Sequence, residues 1–263
     1  MMQNKKYVLI ILISLIFLAL LTTGITFIRK YTQTKERPTE LPDESAVDFV
    51  QIVASYTSTP PLFDGILGAD GEDWGKAVAT KTLSYTNSLT GESETHEMNI
   101  YARYDDNNLY IAVTVENDDF WEDAKRDRDL LWIYFDGNNN GIIEENEDIQ
   151  RFPWDERRGD FHFTEDGGWA QDEQLNEGGR WRCMETSGGL SNYTYEFEIP
   201  LNSGDPQDLS IAPGSTVGMK IEFQEMHYFE EKQAWSAVGE DAWPSKGEVL
   251  DGLSYGKLTL EKN

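Results

Sequence analysis

The sequence predicts an all-β domain, an antiparallel β-sandwich with jelly-roll or immunoglobulin-like layers, preceded by one N-terminal transmembrane helix. Three observations carry this. Beyond Pro61, short runs of β-branched and aromatic residues alternate with Gly, Asn, Asp and Pro punctuation, the pattern of strands and turns in a sandwich. Helical signals are few, and only Asp118 to Asp129 has room for a short helical turn. Tyr7 to Ile28 is a run of 22 residues without a charge, and about 20 such residues cross a bilayer as a helix.

In chain order, residues 1–6 form a short flank, 7–28 the anchor, 29–60 a polar stalk and 61–263 the sandwich. Lys5 and Lys6 precede the apolar run; Arg29 and Lys30 follow it. A cleaved signal peptide would have a shorter apolar region ending in a small-x-small site, and Thr22-Thr23-Gly24 is a poor one, so an uncleaved anchor is favoured. Positive charge flanks both ends, so charge alone does not orient the span. Two features place the large domain outside the cytoplasm. Asn192-Tyr193-Thr194 is a glycosylation sequon, and a calcium loop of modest charge suits an extracellular module. The expected location is therefore the cell membrane, single-pass, with an extracytoplasmic domain.

The stalk carries Pro38, Pro42 and Pro60, and Ala46 to Tyr56 is apolar enough to add a first strand. Glu97 to Ala102 and Leu109 to Val115 read as strands around the turn Asp105-Asp106-Asn107-Asn108, followed by Leu130 to Phe135 and Phe161 to Thr164. Tyr193 to Ile199 and Val217 to Phe223 alternate with period two, one face apolar and the other wet. Leu253 to Leu260 closes the chain. The single cysteine, Cys183, excludes an intrachain disulfide and reads as an inert strand thiol.

The chain is acidic, with a net charge of −26. The first 37 residues hold six Lys/Arg and one acid, so the remainder carries a net of −31. Such a surface repels nucleic acid and anionic lipid, and it suits cations or neutral ligands.

The strand Leu130 to Phe135 runs into Asp136-Gly137-Asn138-Asn139-Asn140-Gly141-Ile142-Ile143-Glu144-Glu145-Asn146-Glu147-Asp148. This fits the template D-x-[DN]-x-[DN]-G-x5-E. Ca²⁺ takes six to eight hard oxygens, and alternate residues of a tight loop aim theirs at one point. Asp136, Asn138 and Asn140 supply side-chain oxygens, Ile142 a backbone carbonyl and Glu144 a ligand through water. Glu147 closes the site with both oxygens, in competition with Asp148. A strand precedes the loop where an EF-hand has a helix, so the expected Ca²⁺ is structural. The bland alternative is a solvated Asn-Gly turn.

Three stretches together resemble a known family. Phe63-Asp64-Gly65 leading to Asp73-Trp74-Gly75-Lys76-Ala77, Tyr104-Asp105-Asp106-Asn107-Asn108-Leu109-Tyr110-Ile111-Ala112-Val113, and Tyr195-Glu196-Phe197-Glu198-Ile199-Pro200-Leu201 resemble, in order and spacing, the family 9 carbohydrate-binding-module-like domains of the DOMON-like superfamily. The resemblance covers roughly residues 60 to 260. It implies an antiparallel sandwich, often calcium-stabilised, that binds a ligand and does no chemistry. Some relatives hold sugars between aromatic side chains and others a haem.

Sugar binding needs aromatic plates with polar groups beside them. Trp121, Trp154, Trp169, Trp235 and Trp243 stand in polar or Gly/Pro-containing surroundings and are the candidate platform; Trp74 is expected in the core. The alternative for the five is that they cap the ends of the sandwich. A haem would need axial ligands from His96, His162, His227, Met98, Met184, Met219 or Met226, and no C-x-x-C-H attachment motif is present. Glu222, Glu225, Glu230 and Glu231 near His227 would be the weak nucleus of an enzyme, but the chain has no H-E-x-x-H, G-x-S-x-G or P-loop motif. The expected function is non-catalytic: a membrane-anchored module binding a glycan or cell-surface polymer. The alternatives are a structural or protein-binding ectodomain and a haem-binding redox domain.

Overall fold

The computed structural model describes residues 50–262, except 66, 68–72, 120–128, 153–158, 173–177, 186–189, 230, 233, 246–248, 250 and 251. The predicted anchor 7–28, flank 1–6 and most of the stalk lie outside these, as do Trp121 and Trp154. Among the described residues no helix is long and apolar enough to cross a membrane.

Among the described residues thirteen strands follow one another: β1 (Gln51–Tyr56), β2 (Ala79–Thr86), β3 (Ser93–Tyr104), β4 (Asn108–Asp119), β5 (Leu130–Asp136), β6 (Asp148–Phe152), β7 (Gly159–Phe163), β8 (Trp169–Gln171), β9 (Gly178–Glu185), β10 (Leu190–Pro200), β11 (Thr216–Phe229), β12 (Ala234–Trp243) and β13 (Gly256–Leu260). One layer runs β8-β7-β6-β5-β11-β13-β1, with β12 also on β11; the other runs β1-β3-β4-β10-β9, with β2 on β3. The predicted strands are recovered, except that residues 46–49 lie outside the described residues and Leu253 and Ser254 belong to a short 3-10 turn. Of the expected helical turn, Asp118 and Asp119 belong to β4 and 120–128 lie outside the described residues. The expectation of a purely antiparallel sandwich is corrected, because the sheet is mixed. Strand β1 lies parallel to β13 through Gln51–Ala54 and parallel to β3 through Ser55 and Tyr56. One short strand thus passes from layer to layer and joins them.

The main core forms between the layers. Met98, Ile100, Ile111, Val113, Tyr195 and Phe197 of one meet Leu131, Ile133, Phe135, Met219, Ile221 and Phe223 of the other. Alternation along each strand aims these side chains inward. The runs that do not alternate are buried on both faces. On β4, Tyr110 and Ala112 point outward but are covered by Phe63, Leu67 and the predicted core residue Trp74. On β5, Leu130, Trp132 and Tyr134 form a second cluster with Ile149, Phe161 and Phe163.

The β3–β4 turn shows the role of Asp105. Its Oδ1 accepts the N–H groups of Asn107 and Asn108, each at 2.8 Å, and its Oδ2 accepts the Tyr110 hydroxyl at 2.7 Å. A carboxylate in place of a missing ladder partner closes the hairpin.

Outward-facing Glu196 of β10 is 0% exposed beneath the segment that holds Trp74. Its Oε2 accepts the Gly65 N–H at 2.8 Å. Burial pushes the carboxyl up to about 7, with Asp64 and Asp73 adding to the shift and the Gly65 N–H opposing it. The folded state therefore binds this proton more tightly than the unfolded chain, whose value is near 4.5. Stability is present below that value and falls as pH rises toward about 7. Glu196→Gln should flatten this part of the stability-versus-pH curve in urea titrations; an unchanged slope would place its source elsewhere.

Candidate functional site

Among the described residues two surfaces are candidates for binding: the loop after β5, and an aromatic face on the outer side of β5–β8.

The loop is organised by its own acids. Asp136, 1% exposed at the end of β5, accepts the N–H of Asn140 through Oδ1 (3.2 Å) and of Gly141 through Oδ2 (2.8 Å). Glu147 accepts the N–H of Gly137 (3.1 Å) and of Glu144 (2.9 Å). Glu144 Oε2 accepts the amides of Asn138 (2.8 Å) and Asn140 (3.1 Å). The predicted positions 136, 138, 140, 144 and 147 therefore lie in one hydrogen-bonded network. Sharp reversal is possible because Gly141 has φ 77° and Asn139 and Asn146 take positive φ. A Cβ on Gly252 would sit 2.7 Å from the Gly141 carbonyl carbon, so the C-terminal segment packs against the loop only through a glycine.

Concentrating acids here raises their proton affinity. Burial pushes Asp136 up, against N–H groups of Gly141, Asn140 and Asn139. Burial likewise pushes Glu147 up to about 7, and Asp136 and Glu144 contribute repulsion. Three carboxylates and two side-chain amides stand in this network, and hard oxygens of this type are the ligands Ca²⁺ takes.

Asp148 is not part of this network, which corrects its candidacy as the closing ligand. Residue 148 begins β6 and its side chain leaves on the other side. Its Oδ1 accepts from Gln150 Nε2 (2.7 Å) and its Oδ2 from the Leu209 N–H (3.1 Å).

The aromatic face is built by alternation across β5 to β8. Trp132 stacks on Tyr134 (5.9 Å, 5°) and meets Trp169 edge-on (5.8 Å, 62°). Trp169 also meets Phe161 edge-on at 4.9 Å. The Arg151 guanidinium lies 4.9 Å from the ring centres of both Trp132 and Phe161. Trp132 Nε1 donates to Gln224 Oε1 (3.2 Å), whose amide donates to Glu222 Oε1 (2.6 Å). Trp132 is only 7% exposed, whereas Trp169 is 54% exposed and presents its ring to solvent. An apolar plate beside a cation and amide groups matches a sugar ring's mixed surface.

The other predicted tryptophans separate. Trp235, half-buried on β12, packs against Tyr228 at 5.2 Å. Trp243 ends β12 and is 2% exposed in the main core, which corrects its assignment to the platform: pairing with Ile221 draws it inward against Gly256. Asn192 stands half-buried on β10 opposite Met184. Of the haem candidates, His96 stacks on Tyr85 and bonds its hydroxyl (2.9 Å), Met98 is core, and His227 meets Phe229 edge-on. A cleft of about 500 Å³ between β2 and β12, lined by Tyr85 and Glu240 among others, contains none of the predicted residues. Alternation along β5 puts Trp132 on the face opposite Leu131, Ile133 and Phe135, as the sequence implies, but only the fold brings it together with Arg151, Phe161 and Gln224 beside Trp169.

Residues 66–263 match the family model described as carbohydrate family 9 binding domain-like. The chain belongs to this family. No curated protein matches it. Two solved structures of a family 9 carbohydrate-binding module from Caldicellulosiruptor kristjanssonii are similar. The glucose complex has 13% identity and a TM-score of 0.48, covering 81% of this chain and 96% of the module. The cellotriose complex has 14% identity and a TM-score of 0.47, covering 81% and 94%.

Proposed function

We propose that this chain is a non-catalytic carbohydrate-binding module, anchored to the cell membrane by residues 7–28 and displaying its sandwich outside the cytoplasm. The observation that carries the reading is the half-exposed Trp169 ring, braced by Trp132 and Phe161 with Arg151 alongside, in a chain of the family 9 binding-domain type. The ring offers a flat apolar surface to the C–H face of a sugar, and Arg151, Gln224 and Glu222 supply hydroxyl partners. The glycan is a neutral polymer of the cell surface or surroundings, since a net charge of −26 disfavours anionic polymers. Ca²⁺ in the 136–147 loop, with Glu147 as the closing ligand, stiffens the exit of β5 and does not react.

A glycan array probed with the full-length chain in calcium tests this. Neutral glycan hits are expected, and Trp169→Ala should weaken them about 10- to 100-fold, the range of a stacked aromatic anchor. An array without hits would favour the structural or protein-binding ectodomain.

A further inference from the structure

The side of β6–β8 opposite the aromatic face holds a buried acid cluster. Register places Asp148 beside His162 and Gln150 beside Asp160, while the Asp172 N–H, just past β8, donates to the Asp160 carbonyl (3.0 Å). Gln150 is also opposite Ile133 of β5, so this is the inner face of the layer, polar where its neighbour is apolar. The segment between β10 and β11 adds Asp208. Asp148, Asp160, Asp172 and Asp208 are 2%, 2%, 5% and 8% exposed.

One oxygen from each of Asp160, Asp172 and Asp208 lies within 4.8 Å of the others. A Ca²⁺ shell of radius about 2.4 Å is about 4.8 Å across. A second observation points to a ligand. Asp160 Oδ1 is occupied by Gln150 Nε2 (3.2 Å) and Asp172 Oδ1 by His162 Nδ1, but Asp160 Oδ2 and Asp172 Oδ2 are buried and meet no N–H or hydroxyl donor; the two carboxyls lie within hydrogen-bond reach of each other. Buried polar atoms are nearly always satisfied. Two adjacent buried carboxylates aligned by Gln150 and His162 need either a shared proton or a cation between them.

We propose that Asp160, Asp172 and Asp208 bind a calcium-sized divalent cation at a second site, independent of the 136–147 loop. Gln150 and His162 position the ligands, and Gln207 Nε2, 3.1 Å from His162 Nε2, fixes the imidazole from its far side. Asp148 holds the Leu209 N–H and so draws the Asp208 segment over the site. The cation would fasten the edge strands β7 and β8, whose other face carries Trp169, to the β10–β11 connection.

Equilibrium dialysis of the full-length chain against radioactive calcium, after stripping with chelator, tests this. Asp160→Asn/Asp172→Asn should bind one equivalent fewer than the wild type, and Asp136→Asn should lose a different equivalent, so that combining them removes two. The nearly isosteric Asn pair should also melt at or above the wild-type temperature in chelator, because it removes repulsion between buried acids. An Asn pair that binds as much calcium as the wild type overturns the proposal and leaves a proton shared between the two acids. So does a wild type that binds none. Should the pair fail to fold, Asp208→Asn alone should weaken one equivalent at least tenfold, and unchanged binding overturns the proposal equally.

Discussion

Phe135→Ala is expected to destabilise the domain by about 3–5 kcal/mol, the cost of removing a large aromatic from a core that cannot close over the gap. Phe135 is 0% exposed and points, with Leu131 and Ile133, into the space between the layers. Its strand is held on both sides, by β6 and by β11, where Phe135 is opposite Met219. Neither backbone can move inward without breaking a ladder, so the cavity persists. For a domain of this size each kcal/mol lowers the melting temperature by about 2–4 °C, which puts the expected loss at roughly 6–20 °C. Urea titration with an unchanged slope would assign the loss to stability alone. Trp169→Ala is the control: its ring is half in solvent and should cost about 1 kcal/mol or less. A Phe135→Ala cost that small would mean the layers do not pack tightly where β5 leaves the core.

The strands most legible in the sequence were those whose burial is simplest. Tyr193 to Ile199 has one wet face and shows period two; Leu109 to Val115 is continuous because Trp74 and Phe63 cover its outer side. Strand β2 escaped notice because its buried positions are few among Thr, Lys and Ser. Strands β6 and β8 are short, and acids mark them as loop: Asp148 opens β6 and Asp172 follows β8. Trp243 was misplaced for a related reason: Gly239, Glu240, Asp241 and Pro244 suggest a turn, and only pairing with β11 makes that stretch a strand. The parallel partners of β1 are set by residues some 50 and 200 positions away, and no local pattern encodes them. The hydrogen-bonded 136–147 loop is legible as a unit because all its partners are local. The Asp160–Asp172–Asp208 cluster was not, because it exists only through strand register and a returning loop.

Calcium should raise the melting temperature of the wild-type chain, and Asp136→Ala should remove the part due to the loop. Ligands that bind only the native state stabilise it by RT ln(1 + [L]/Kd). For an extracellular-type Kd of about 10⁻⁴–10⁻³ M, calcium at about 10 mM adds roughly 1.4–2.7 kcal/mol for one site. At about 2–4 °C per kcal/mol this is a shift of about 3–11 °C. The shift should also depend on pH. Burial pushes Glu147 up to about 7, and it must lose its proton before both oxygens can ligate. Acidification through about 7 therefore weakens calcium, while the metal-free fold gains by neutralising a repelled buried acid. The two melting curves, with calcium and with chelator, should converge toward pH 6 and separate toward pH 8, as the raised Glu147 value requires. Curves that coincide at every pH for the wild type would leave the loop as a turn held by Asp136 and Glu147 through backbone N–H groups alone. A shift that survives intact in Asp136→Ala would move the stabilising cation to another site, and the acid cluster behind β7 and β8 is where the Asn pair would then have to abolish it.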